Sequence, residues 1–112
     1  YLTAPSQWSP ADPVISAVEP PWTDTVSVYG PFATLLQSLT AHLGGANLRE
    51  TVWCWQVLVV LAWLGVRWLL LRAGATQRRV DTLWTLNPLV FGVSVLGAHV
   101  DLVAAALGLA AL

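Results

Sequence analysis

The chain has 112 residues, of which 56% are hydrophobic and 10% are charged, whereas about 25% of residues are charged in an ordinary soluble domain. The formal net charge of −1 argues against a nucleic-acid-binding domain, which needs a basic face. Seven tryptophans and the absence of lysine are typical of a membrane protein, and the lone Cys54 excludes an internal disulfide bond. Because the sequence contains no methionine and stops within the apolar run 102–112, we expect it to be part of a larger polytopic protein.

Residues 1–30 differ in composition from the rest of the chain. Five prolines argue against a long helix, because proline lacks a backbone N–H and disfavours helical geometry in the residue before it. Tryptophan, valine and isoleucine are nevertheless too frequent for a disordered linker. We therefore predict an ordered loop that packs on a membrane domain, with Asp12, Glu19 and Asp24 on a solvated face.

Residues 31–44 are predicted to form a short interfacial helix. Pro31 suits the first turn of a helix, and the pair Gly44-Gly45 suits its end. The apolar residues lie three and four positions apart, so the helix has one apolar face. It is shorter than the roughly 20 residues that a bilayer requires, so we expect it to lie at the membrane interface and not to cross.

Residues 50–72 are predicted to be a transmembrane helix. Between its first tryptophans and Arg67 the only polar residue is Gln56, whereas a soluble helix has a regular polar stripe. Such a helix is roughly 30 Å long, the thickness of the hydrocarbon core of a bilayer. Asn47 is placed to cap its start, and the heads of Arg67 and Arg72 are placed to extend past the hydrocarbon. A central helix of a soluble α/β core is the alternative.

Four of the five arginines lie close to or just after the end of this helix. The polar loop 73–79 contains two of them, and the positive-inside rule makes this loop cytoplasmic. Residues 1–49 then lie outside, so the loop 1–30 is predicted to be extracytoplasmic. A helix at 31–44 that crossed the membrane would reverse this orientation.

Residues 80–98 are predicted to be a second transmembrane helix that returns outward. Asn87-Pro88 interrupts it, and proline is tolerated in a membrane where neighbouring helices or a water-filled cavity satisfy the freed carbonyl. Small residues near its end let another helix approach closely, so we expect it to lie inside a bundle. Residues 101–112 are predicted to begin a further transmembrane helix.

His99 and Asp101 lie at the outer end of the second predicted span. Ionisable residues flanked by membrane segments are costly unless they face a cavity, so both are candidate functional residues. On a regular helix two such residues point about 200° apart, whereas on a loop or a broken helix they could converge. A plain interfacial position is the alternative. The sequence contains no metal-ligand set, no glycine-rich phosphate loop and no Gly-x-Ser-x-Gly elbow.

The order of the short motifs resembles a known family. They are Trp22-Thr23-Asp24-Thr25 and Tyr29-Gly30-Pro31, then, after a short helix, a span and an arginine loop, Asn87-Pro88-Leu89 and Gly97-Ala98-His99-Val100-Asp101. This arrangement resembles the actinobacterial polyprenol-phosphate-mannose-dependent α-1,6-mannosyltransferases, which are integral membrane glycosyltransferases of the GT-C fold. The resemblance covers most of the chain, although Val100 stands where the family pattern has asparagine.

The resemblance implies an all-α membrane protein of GT-C type with several spans in the plasma membrane. It implies an enzyme that passes mannose from a polyprenyl-phosphate carrier to a hydroxyl group of an extracytoplasmic glycan, with a carboxylate as general base. Asp24 and Tyr29 would line the acceptor or sugar pocket, and His99 and Asp101 would bind substrate, with His99 at the donor phosphate. The family's catalytic carboxylate lies early in the first outer loop. We expect that carboxylate to precede Tyr1, so no catalytic residue is assigned here.

The implied partners are the lipid-linked sugar donor, the glycan acceptor, membrane lipids and the remaining transmembrane helices of the full-length chain. No nucleic acid, metal site or cofactor is expected, because polyprenyl-phosphate-mannose acts as a substrate.

A transporter or flippase-type module and a structural membrane subunit without a site are the two alternatives to a transferase. In a transporter, the broken second span would line the substrate path. The outer loop of about 30 residues favours the transferase, because most connections between helices are far shorter.

Overall fold

The computed structural model describes residues 3–13, 15–45 and 47–112. Within these residues the chain is all-helical and contains no strand, which confirms the predicted all-α class. The chain divides into two compact units, Tyr1–Trp55 and Gln56–Leu112, and the boundary falls within the longest helix.

Three short 3-10 turns open the first unit, and these are Pro5–Gln7, Ile15–Ala17 and Trp22–Asp24. Short turns follow from the proline spacing, since proline interrupts the backbone hydrogen bonds that a longer helix needs. The first and third turns pack against each other. The hydroxyl of Thr25 closes the third turn by donating to the carbonyl of Pro21 at 3.0 Å.

Helix α1 covers Pro31–Gly44. As the sequence predicts, Pro31 occupies its first turn, and Gly45 ends it with a φ of 60°, a left-handed conformation that favours glycine. Leu35, Leu39 and Leu43 lie four residues apart and are all exposed, so one face of α1 is an uncovered apolar stripe. The position of this helix at a membrane interface stays a prediction.

Helix α2 covers Leu48–Arg72 and has 25 residues. The predicted cap is confirmed, because the side-chain oxygen of Asn47 accepts the backbone N–H groups of Arg49 at 3.0 Å and Glu50 at 3.4 Å. Among the described residues, α2 is the one helix that is long and apolar enough to cross a membrane by itself. Six of its large apolar side chains are exposed in the structure, and these are Val52, Trp53, Val57, Leu61, Leu64 and Trp68.

The second unit continues from α2 through α3, which is Gln77–Val80, into two π-helical segments, Asp81–Thr85 and Val90–Leu96. The sequence predicted a loop up to residue 79, whereas α3 already begins at Gln77. It also predicted one interrupted span over 80–98, and the structure shows the interruption together with π-helical backbone on both sides. The last helix, α4, is Asp101–Ala110.

The break between the π segments is built around Asn87 and Pro88. Proline cannot donate a backbone hydrogen bond, so the helix cannot continue through it. The side chain of Asn87 supplies hydrogen bonds on both sides of this break. Its amide nitrogen donates to the carbonyl of Leu83 at 3.1 Å, and its oxygen accepts from the N–H of Leu89 at 3.0 Å.

The segment Val90–Leu96 and helix α4 meet at a bend of 104°. Together they are long and apolar enough for a broken span or a re-entrant loop, so the bend offers an alternative to two separate spans at 80–98 and 101–112. The number of spans in this part of the chain stays a prediction.

One face of α2 carries the packing of the second unit. Val59 and Val66 are fully buried and seven residues apart, which is two helical turns. Three side-chain hydrogen bonds join this side of α2 to the following segments. They are Gln56 Nε2 to the Val95 carbonyl at 2.7 Å, Trp84 Nε1 to the Trp63 carbonyl at 3.0 Å and Arg67 Nε to Asp81 Oδ1 at 3.0 Å.

Candidate functional site

The first unit contains an open cavity of about 310 Å³. It is lined by Thr3, Pro5, Val18, Trp22, residues 25–29 and Gln37. The first 3-10 turn, the third 3-10 turn and helix α1 thus each contribute to its walls. The contact between the first and third turns brings together residues that are far apart in the sequence.

Backbone hydrogen bonds hold the aromatic wall of the cavity in place. The N–H of Thr25 donates to the carbonyl of Trp22 at 3.3 Å and closes the turn that carries the indole. The N–H of Tyr29 donates to the hydroxyl of Ser27 at 3.3 Å. Trp22 is 57% exposed and Tyr29 is 41% exposed, so both rings remain accessible at the edge of the cavity.

The structure separates the two residues that the resemblance assigns to a sugar pocket. Tyr29 lines the cavity, whereas Asp24 does not. Asp24 ends the third turn in an exposed position, where the hydroxyl of Thr23 approaches its carboxylate at 3.5 Å. The next residue, Thr25, lines this cavity instead, and a place for Asp24 in a sugar pocket stays a prediction.

Sequence reasoning missed Trp22 and Gln37 as cavity residues. The available signal for Trp22 was its place at the start of the first family-like motif. The signal for Gln37 was that it lies off the apolar stripe of α1. Neither signal shows that a turn and a helix line the same cavity, because that arrangement depends on the packing of the first unit.

In the second unit, His99 lies at the corner between Val90–Leu96 and α4. Ala98 before it has a φ of 53°, an unusual backbone conformation for a residue other than glycine. The N–H of His99 donates to the carbonyl of Ser94 at 3.0 Å, and its carbonyl accepts the N–H of Leu102 at 3.3 Å. These bonds fix the backbone of the corner while the imidazole stays exposed.

His99 and Asp101 form no ion pair in the described part of the chain, although the sequence leaves open that they converge. The side chain of neither residue has a hydrogen-bond partner among the described residues. Asp101 is the first residue of α4, where a carboxylate is favoured by the helix dipole. The imidazole is therefore presented without a carboxylate bound to it.

A second polar cluster consists of Arg67, Asp81 and Thr85, whose side chains bond to one another. Arg67 pairs with Asp81 at 3.0 Å, and the hydroxyl of Thr85 donates to the same carboxylate oxygen at 3.2 Å. The sequence predicts that the head of Arg67 extends past the hydrocarbon, whereas in the structure it pairs with Asp81. This pair spans 14 residues and ties the first π segment to α2.

Metal ligands do not cluster in residues 3–13, 15–45 and 47–112, where no group of three His, Cys, Asp or Glu side chains could hold an ion. Two candidate sites for ligand binding are the cavity of the first unit and the corner at His99.

The backbone of the corner leaves no room for a side chain at Gly97. A Cβ atom there would collide with the carbonyl oxygen of Val93 and lie 3.1 Å from Cδ2 of His99. We therefore expect Gly97→Ala to destabilise the full-length protein by about 1–3 kcal/mol, the usual effect of overpacking. Thermal unfolding of the protein purified in detergent measures this.

Gly92→Ala is the matched control, since it lies in the π segment that ends just before Gly97 and a Cβ atom there has no neighbour within 4 Å. The control is expected to leave the unfolding temperature unchanged or slightly raised, because alanine favours helical backbone over glycine. Equal unfolding temperatures for the two variants would contradict this account of the corner.

Comparison with known proteins identifies the family of the chain. A family model described as Alpha-(1->6)-mannopyranosyltransferase, N-terminal domain, matches residues 1–112. No curated protein and no solved structure matches the chain. The match covers the whole sequence and agrees with the resemblance seen in its motifs. The chain thus belongs to the alpha-(1->6)-mannopyranosyltransferase N-terminal domain family.

Proposed function

We propose that this chain is part of a membrane glycosyltransferase that passes mannose from a polyprenyl-phosphate carrier to an extracytoplasmic glycan. The observation that carries the proposal is the family match, which covers residues 1–112 and supports an α-1,6-mannosyltransferase domain. The 25 residues of α2 are a second support, because a lipid-linked donor remains in the bilayer and the enzyme must reach it there.

The proposed reaction forms one bond and breaks one. A hydroxyl oxygen of the acceptor attacks C1 of the donor mannose, and the bond between C1 and the phosphate oxygen breaks. The proton of the hydroxyl passes to a carboxylate acting as general base, and polyprenyl phosphate leaves as an anion. Hydrogen-bond donors at the membrane boundary would stabilise the charge on the departing phosphate.

His99 is the residue that we propose for the donor phosphate, with Asp101 beside it in the same substrate site. An exposed imidazole whose side chain has no partner in the described residues is free to donate a hydrogen bond to a phosphate oxygen. The fixed backbone of the corner limits the number of positions that the imidazole samples, which favours binding.

The proposed arrangement in the plasma membrane places residues 1–49 outside and residues 73–79 inside, in a multi-pass chain of GT-C-like architecture. The arginines close to and within residues 73–79 support this orientation. The exposed leucine stripe of α1 supports an interfacial position for that helix, because it offers an apolar face to lipid.

Transfer assays with the full-length protein in membranes test the function. Polyprenyl-phosphate-mannose should act as donor, an α-1,6-linked oligomannoside should be extended, and the new linkage should be α-1,6. A protein that used only nucleotide-linked mannose would contradict the proposed donor. Movement of lipid-linked sugar across sealed vesicles without any transfer would instead identify a flippase.

His99→Ala in the same assay tests the phosphate site. A ground-state contact with the donor predicts a higher KM for the donor, whereas a contact made only in the transition state predicts mainly a lower kcat. A loss of about tenfold or more in kcat/KM for the donor is expected, since hydrogen bonds to charged groups contribute roughly 1.5–3 kcal/mol. His42→Ala is the control, because His42 is also exposed and lies near the end of α1. Wild-type kinetics in a folded His99→Ala protein would return His99 to a plain interfacial position.

A further inference from the structure

We propose that the cavity of the first unit is the acceptor subsite of the enzyme and holds a neutral mannose unit of the glycan. This inference rests on the proposed function, which supplies the class of acceptor. Trp22, Tyr29 and Gln37 are the side chains that we assign to it.

The size of the cavity suits a small part of a glycan. Its volume of about 310 Å³ lies at the lower end of the roughly 300–1,000 Å³ that is usual for small-molecule sites. One or two pyranose rings are about the largest ligand that such a volume admits. Because the cavity is open, the rest of a longer acceptor chain could extend into solvent.

The aromatic wall matches the apolar face of a pyranose. The C–H groups on one face of a mannose ring carry partial positive charge, and the face of an aromatic ring is negative, so the two attract each other when stacked. Trp22 and Tyr29 are both accessible and both line the cavity. In the described residues, neither the indole N–H of Trp22 nor the hydroxyl of Tyr29 has a hydrogen-bond partner, so both can bond to sugar hydroxyl groups.

Gln37 supplies the polar contact on the side of α1. Its amide offers donors and an acceptor on one group, as a sugar hydroxyl does, so the two can exchange hydrogen bonds in both directions. The side chain of Gln37 has no hydrogen-bond partner among the described residues, and it is half-buried on the helix that forms this wall. The hydroxyls of Thr25 and Ser27 are already engaged with the backbone, and they shape the wall.

The charge of the lining selects the acceptor over the donor. Among the described residues that line the cavity, none is an arginine, lysine, histidine, aspartate or glutamate. A lipid phosphate needs cationic side chains or exposed backbone N–H groups to replace its hydration. A neutral mannoside needs neither, so the uncharged lining fits the acceptor.

Transfer kinetics of Trp22→Ala in the full-length enzyme test the subsite. Loss of the stacking ring is expected to raise the KM for an α-1,6-mannotriose acceptor by about tenfold or more, because truncation of a tryptophan anchor is among the costliest changes at a binding surface. The KM for polyprenyl-phosphate-mannose should stay within about twofold of wild type, since the donor binds elsewhere on this account. Trp8→Ala is the control, because Trp8 is 60% exposed in the same unit but does not line the cavity.

Equilibrium binding without donor provides an independent readout. Saturation-transfer NMR should detect α-1,6-mannotriose on the wild-type and Trp8→Ala proteins and lose the signal for Trp22→Ala. Gln37→Leu replaces the amide with an apolar side chain of similar size and should weaken binding as well, which keeps the test valid if Trp22→Ala does not fold.

The outcomes separate the subsite from the function on which it rests. A wild-type enzyme that transfers mannose while both variants keep normal acceptor KM and binding would overturn the subsite and leave the function standing. A rise in donor KM with an unchanged acceptor KM would also overturn it, because the cavity would then belong to the donor. A wild-type protein that neither transfers mannose nor binds the mannoside would overturn the proposed function itself.

Discussion

The hydrogen bond from the Gln56 amide to the carbonyl of Val95 is the constraint on which the second unit depends. Gln56 is the single polar residue within the apolar run of α2. In an apolar surrounding its amide would cost several kcal/mol without a partner. The carbonyl of Val95, which also accepts the backbone N–H of Ala98 at 3.1 Å, satisfies that amide across 39 residues. The bond fixes where the corner at His99 begins relative to α2.

The bounds of α1 and the start of α2 could be predicted because their signals are local. Pro31 at a first turn, a glycine pair at a C-terminus and Asn47 at an N-cap each act within a few residues of chain. The π-helical segments and the pairing of Arg67 with Asp81 could not be predicted in this way. They depend on contacts with α2 between residues that are 14 or more positions apart in the sequence, and hydrophobic periodicity does not predict such contacts.

The residues of the candidate site likewise fall into those that short motifs indicated and those that only the packing brings to the site. The motif order drew attention to Tyr29 and His99, and the structure places one in the wall of a cavity and the other at an exposed corner. The motif order does not show whether Asp24 or Thr25 lines the cavity, because the direction of a side chain in a 3-10 turn changes by about 120° from one residue to the next. Gln37 became part of the site only through the fold of the first unit, which brings one residue of α1 to the same cavity as the turns.

The proposed function requires that α2 crosses the membrane with the cavity outside and the arginine-rich turn inside. Labelling of intact cells with a membrane-impermeant maleimide measures this most directly, using Ser9→Cys and Thr76→Cys separately in a full-length Cys54→Ala protein. Ser9 lies in the unit that contains the cavity, and Thr76 directly precedes α3, which follows α2. We expect Ser9→Cys to react in intact cells and Thr76→Cys to react only after permeabilisation. Reaction of Thr76→Cys alone in intact cells would contradict the proposed topology.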